Sequence, residues 1–221
     1  MRVFKFLEAS HARSNIERRR IKISRVADLN DPFELLPVNT SRNPDLRRTL
    51  KSWRAEMDKR HGLLCFSKTW HDPVLWSHYG EKHRGICLGY DLQDAFVEPV
   101  RYRTDRLKPQ FSADGELVQN EQLTKDMLFT KYERWHYEDE IRTWVDLDPK
   151  TADADGHYFF DYSDQLALRE VILGPLHKTR VSEYLSLVKD MTPTVYVKQT
   201  RLAYSKFSVV ELDPRRRDED E

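Results

Sequence analysis

Residues 140–147 constrain the fold of this chain more than any other stretch. Ile141, Thr143, Val145 and Leu147 alternate there with Glu140, Arg142, Trp144 and Asp146. Only an extended strand turns a period of two into two distinct faces. Shorter patterns of the same kind predict strands over 3–6, 20–24, 63–67, 85–91, 97–103, 168–174, 195–198 and 207–212. The spacing predicts helices over 10–18, 74–80, 121–134 and 179–189. A further helix has the clearest start: Asn43 can cap it and Pro44 fits its first turn. Leu46, Leu50, Trp53 and Met57 then share one face until His61-Gly62. Strands and helices mixed in irregular order point to an α+β fold, with mixed, mainly antiparallel sheets flanked by helices, and not to a doubly wound parallel sheet.

A chain of 221 residues suits one large domain. The expected domain covers 1–212, and the charge run over 213–221 is expected to be a disordered tail. Apolar residues, at 39%, suffice for a core, while 33% charged residues require an extensive wet surface. Lys plus Arg and Asp plus Glu are both 37, so there is no global attraction to nucleic acid or membrane. No apolar run reaches the roughly 20 residues that span a bilayer, and the first residues lack the pattern of a secretory signal. Cys65 and Cys87 are isolated, which fits a reducing cytoplasm.

Three constellations carry chemistry. On a strand, the period-two spacing of Glu138, Glu140 and Arg142 would point all three the same way. Two carboxylates beside a guanidinium can be tuned apart in pKa for work on a ribose or phosphate; the plain alternative is a solvated strand face with a Glu–Arg pair. Trp76 and Tyr79 fall on one helical face, where they could stack on a flat ring while His83 or Arg84 holds a phosphate. The alternative is a core Trp–Tyr pair beside a basic turn. Asn30-Asp31-Pro32-Phe33-Glu34 is a turn that either presents polar groups to a ligand or satisfies its own backbone. The basic residues Arg18, Arg19 and Arg20, and Arg101, Arg103, Arg106 and Lys108, read as solvated faces or as unspecific nucleic-acid contacts. No His, Cys and carboxylate set has metal-ligand spacing, so no metal is expected.

In order and spacing, Phe4-Lys5-Phe6, Asn30-Asp31-Pro32-Phe33-Glu34, Cys65-Phe66-Ser67, Trp76-Ser77-His78-Tyr79, His83-Arg84-Gly85, Tyr137-Glu138-Asp139-Glu140-Ile141-Arg142 and Glu170-Val171-Ile172-Leu173-Gly174-Pro175 resemble the bacterial domain-of-unknown-function family 2971. The resemblance runs from about residue 2 to about residue 212. A remoter similarity is to the ADP-ribosyltransferase fold. It implies Lys5 on a first strand where that fold usually carries His, Ser67 on a later strand, and Glu138 and Glu140 as a Glu-x-Glu pair.

That similarity implies a transferase using NAD as substrate, of the kind found in toxins or antiphage defence effectors. Glu140 would stabilise an oxocarbenium ion and Glu138 would activate an acceptor, whether protein, nucleic acid or small molecule. Trp76 or Tyr79 would stack on nicotinamide. Arg84, with His83 and Arg142, would meet the phosphates, and Asn30 and Asp31 would shape the rim. The alternatives are a non-catalytic nucleotide or RNA sensor on the same residues, and a protein–protein interaction module.

Overall fold

The computed structural model describes residues 1–94, 97–113, 117–118 and 120–213. The chain runs through β1 (Arg2–Leu7), α1 (Ala9–Glu17), β2 (Arg20–Arg25), α2 (Pro44–Arg60), β3 (His61–Ser67), α3 (Pro73–Tyr79) and β4 (Ile86–Leu92). It continues with β5 (Glu98–Pro99), β6 (Arg101–Arg103), α4 (Glu121–Phe129), β7 (Thr130–Tyr132) and a 3-10 turn over Glu133–Glu138. β8 (Glu140–Asp146), β9 (Tyr158–Asp161), β10 (Leu166–Leu173), α5 (Val181–Val188), β11 (Tyr196–Leu202) and β12 (Val209–Glu211) complete it. The class is α+β with mostly antiparallel pairing. Among the described residues no helix is long and apolar enough to cross a membrane. The expected tail falls, beyond Asp213, outside the described residues.

The contacts of the chain fall into two compact units. The first comprises Met1–Ile21, Phe66–Ala95 and Phe160–Glu221. Its strand order is β12-β11-β10-β4-β1. β4 lies antiparallel to β1, from Arg2 opposite Asp91 to Leu7 opposite Ile86, and antiparallel to β10 on its other side. β10 and β11 are parallel, because α5 supplies the crossover that parallel neighbours require. Val3, Ile86, Leu88, Tyr90, Leu168 and Val171 form the centre of the core. Helix α1 adds Ala12 and Ile16, and α5 adds Tyr184 and Val188.

One turn of this unit explains two sequence motifs. Glu81, Lys82 and His83 have φ of 51°, 53° and 69°, a left-handed run that L-residues adopt only when neighbours impose it. The segment after β10 does so. Gly174 N–H donates to Gly85 O at 3.0 Å, Leu176 N–H to His83 O at 3.0 Å, and His177 Nδ1–H to Arg84 O at 2.6 Å. A Cβ on Gly85 would lie 2.2 Å from Leu7 O, and one on Gly174 would lie 2.4 Å from His83 O. Both positions therefore need glycine for close backbone approach.

The second unit comprises Lys22–Cys65 and Phe96–Phe159. Helix α2 starts as expected: Asn43 accepts from Leu46 N–H at 2.9 Å and Pro44 opens the first turn. Leu46 and Leu50 pack with Val38 and Met127, while Trp53 and Met57 pack against Val26, Leu35, Leu63, Leu128 and Phe129. β2 pairs antiparallel with β3, and β8 pairs with β3 and with β5.

Three elements of this unit differ from expectation. The helix expected over 121–134 stops at Phe129, because Thr130, Lys131 and Tyr132 pair in parallel with Arg101, Tyr102 and Arg103. A β-branched and an aromatic residue both suit that extended pairing. The single strand expected over 97–103 is two short strands, β5 beside β8 and β6 beside β7. Glu138 does not share a strand with Glu140. It ends the 3-10 turn, and Asp139, at φ 40° and ψ 55°, redirects the chain into β8.

Candidate functional site

On β8, tertiary contacts remove one of the two alternatives, the solvated polar face. Glu140, Ile141, Arg142 and Thr143 are all buried, so apolar and charged residues are enclosed alike. Arg142 is 1% exposed and Glu140 5%. A buried guanidinium must have its five N–H groups satisfied, and here all five are. Arg142 donates from Nε to Glu140 Oε1 at 2.7 Å and from Nη2 to Glu140 Oε2 at 3.0 Å. It meets Glu34 through Nη1 at 2.8 Å and Nη2 at 2.7 Å, and Nη1 also donates to Leu128 O at 2.9 Å.

Lys131 joins these groups from β7. Its Nζ lies 2.5 Å from Glu138, 3.2 Å from Glu140 and 3.3 Å from Glu34, and 4.9 Å from the ring centroid of Trp135. The strand register explains its position. On the β6–β7 pair, Tyr102 is opposite Lys131 and Arg103 is opposite Tyr132. Alternation turns Tyr102 and Lys131 inward, where the Tyr102 hydroxyl accepts from Glu140 N–H at 2.8 Å. The next pair turns outward: Arg103 and Tyr132 are exposed.

These contacts set the protonation states. Burial alone would raise the Glu140 carboxyl, but Arg142 and Lys131, with a hydrogen bond from Cys65, draw it down to about 2. Burial alone would lower the Lys131 ammonium, but Glu140, Glu34 and Glu138 raise it. The Tyr102 hydroxyl is raised by burial, with the charges of Glu140 and Glu138 adding to the effect. The ion pairs set three acidic side chains, Glu34, Glu138 and Glu140, against two basic ones, Lys131 and Arg142.

Above it opens a cleft of about 260 Å³ that lies wholly within the second unit. Glu34 and Lys131 line it together with Thr130 and Asp31. The walls are Phe33, Leu36, Pro37 and Tyr132, and Arg103, Thr104, Asp105 and Arg106 line the rest. Phe33 and Tyr132 are exposed large rings. The Arg106 guanidinium lies over Phe33, 4.9 Å from the ring centroid, and donates to Val38 O at 3.4 Å.

The remaining sequence-derived candidates divide between the units. Asp31, 3% exposed, lines the cleft and accepts from Phe33 N–H at 2.9 Å. Asn30, its neighbour, is exposed. Lys5, Ser67, Trp76, Tyr79, His83 and Arg84 belong to the first unit. Lys5 is half-buried, with Nζ 5.8 Å from the Phe66 ring centroid. Ser67 is buried and accepts from Thr69 N–H at 3.1 Å. Trp76 offers no face for a nicotinamide ring. It is 0% exposed, packs edge-on against Phe6 at 5.0 Å, and its indole N–H donates to Trp70 O at 2.6 Å. Tyr79 is half-buried beside the His78 ring, at 6.0 Å. His83 is half-buried in the left-handed turn, and burial lowers its pKa; Arg84 next to it is exposed.

Of the residues the structure adds to the site, Phe33 and Glu34 lie in the turn over 30–34 and Arg103 and Arg106 in the basic run, whereas Tyr102, Lys131 and Tyr132 belong to no sequence constellation. The turn over residues 30–34 and the basic run of Arg101, Arg103, Arg106 and Lys108 are the local signals for the cleft. Lys131 carries no local signal, since its role depends on which strand pairs with β7. Outside the cleft, Asp153, Asp155 and His157 each bring a ligand atom within 4.8 Å of the others. Asp153 Oδ1 accepts from Asp155 N–H and His157 N–H, so the turn's own hydrogen bonds account for that grouping. No family model, curated protein or solved structure gave a significant match to the chain.

Proposed function

We propose that this chain binds a nucleotide in the cleft of its second unit. The observation that carries the reading is the shared lining: two exposed rings, Phe33 and Tyr132, with two guanidiniums, Arg103 and Arg106. A ring face accepts a flat base, and a guanidinium offers paired donors to phosphate. Arg106 is already held by Phe33 and Val38, so less side-chain freedom is lost on binding. In this reading Glu138 and Glu140 serve the ligand indirectly. They hold Lys131 and Arg142, and through them Glu34, beneath the cleft.

Calorimetric titration of the full chain with nucleotides tests the reading. Binding should weaken at least about tenfold, roughly 1.4 kcal/mol, in Arg106→Ala and in Tyr132→Ala. A folded protein that takes up no nucleotide would sink it.

One observation favours a second reading, transfer of ADP-ribose from NAD, with the fold and family resemblance implied by the sequence. Glu140 is held ionised, as a carboxylate that stabilises an oxocarbenium ion must be. Against it, both Glu140 oxygens already accept from Arg142. Glu140 is also not among the residues that line the cleft. Nicotinamide release that disappears in Glu140→Gln would support NAD cleavage, by transfer or by hydrolysis; binding of NAD without release would leave the sensor.

A further inference from the structure

Within the nucleotide reading, on which this step rests, we infer that the cleft is built for a nucleoside monophosphate: one base, one ribose and one phosphate group. Three observations converge. The first is size. About 260 Å³ lies just below the range of roughly 300–1,000 Å³ typical of pockets for drug-sized ligands. A dinucleotide such as NAD doubles the rings and sugars and would leave much of itself outside.

The second is charge. Lys131 is already shared by three carboxylates, so Arg103 and Arg106 are the cleft cations that can answer a phosphate. A monophosphate carries about −1.5 to −2 at neutral pH, which two guanidiniums match. A triphosphate brings more negative charge than they neutralise. It would also approach Asp105 and a buried cluster in which three carboxylates face two cations. Like charges at that range are repulsive in a poorly solvated site.

The third is the polar lining. Asp31 and Thr130 are nearly enclosed side chains in the cleft, 3% and 6% exposed. A carboxylate and a hydroxyl can take hydrogen bonds from ribose hydroxyls or an exocyclic amine. Inorganic phosphate alone would use neither these groups nor the rings. The same chemistry is offered by a free mononucleotide and by the 5′-terminal nucleotide of a single strand.

The test is calorimetry on the full chain. The probes are the four ribonucleoside monophosphates, the matching di- and triphosphates, NAD, inorganic phosphate and a 5′-phosphorylated RNA tetranucleotide. At least one monophosphate should bind about tenfold more tightly than its triphosphate, NAD and phosphate. Arg106→Ala should reduce that affinity about tenfold with an unchanged urea midpoint, and Arg103→Ala should act in the same direction. A triphosphate or NAD binding tenfold more tightly than every monophosphate would overturn the inference while leaving the nucleotide reading intact. Phosphate binding as tightly as all nucleotides, or no binding by a folded protein, would overturn both. A tetranucleotide that binds tenfold above the best monophosphate would identify a strand end as the source; parity or weaker binding would identify the free nucleotide.

Discussion

Strands β4 and β8 are each seven residues long, and each begins with at least four buried residues. They enclose opposite chemistry. β4 buries Ile86, Cys87, Leu88 and Tyr90, each 0% exposed, and its apolar area directly favours folding. β8 buries Glu140 and Arg142, whose removal from water costs several kcal/mol per ion before pairing offsets it. Equal burial therefore has different worth. The first unit is held by a sheet core, whereas the second devotes the inner end of its strand to an ion cluster beneath a cleft. Such a cluster is weak as a source of stability and strong as a device for fixing charge. That is how Lys131 can stay charged beneath the cleft while held against Glu34.

The largest effect that tests the contrast is expected for Arg142→Met. It leaves Glu34 and Glu140 buried without their main partner and should cost about 3–5 kcal/mol in urea denaturation. A loss below about 1 kcal/mol would mean that water reaches the cluster and that β8 is not distinct from a surface strand. On β4, Leu88→Ala should cost about 2–4 kcal/mol through lost apolar contact and a cavity. Replacing Glu34, Lys131, Glu138, Glu140 and Arg142 together by apolar residues of similar volume should be near neutral or stabilising. A loss as large as that of Arg142→Met alone would show the cluster to be a net source of stability.

Acid should separate the strands further. The Glu140 carboxyl is lowered from 4.5 to about 2 in the folded protein. Its contribution is therefore complete above the unfolded value and is lost as pH falls from about 4.5 through about 2. The stability gap between the unmodified chain and Glu140→Gln should narrow over that window, followed by urea midpoints at successive pH values. The gap for Leu88→Ala should stay constant. Tyr102→Phe removes the acceptor of Glu140 N–H and should cost about 1 kcal/mol. Smallest of all, Arg106→Ala at the exposed rim should change stability by less than about 0.5 kcal/mol while weakening nucleotide binding.

Local rules made much of the fold legible. Asn43 and Pro44 started α2 because a cap and a restricted φ act within four residues. The alternation over residues 140–147 identified β8 for the same reason. The site was less legible. Trp76 and Tyr79 share a helical spacing, but which of the two is sealed in the core depends on Phe6 and Trp70, far away or around a bend. Glu34 and Arg142 are 108 residues apart, and no spacing rule links them.

What the sequence by itself determined is the class of fold, most of its strands and helices, and the capped start of α2 at Asn43. These depend on periodicity and on backbone preferences that neighbours along the chain set. Only the tertiary structure decided that the charged side of β8 is dry, that Lys131 turns inward while Tyr132 turns outward, and that Phe33 and Arg106 line one cleft. Whether a charge is solvated or paired depends on which strands and loops close over it, and a sequence pattern of period two describes two faces without saying what covers either.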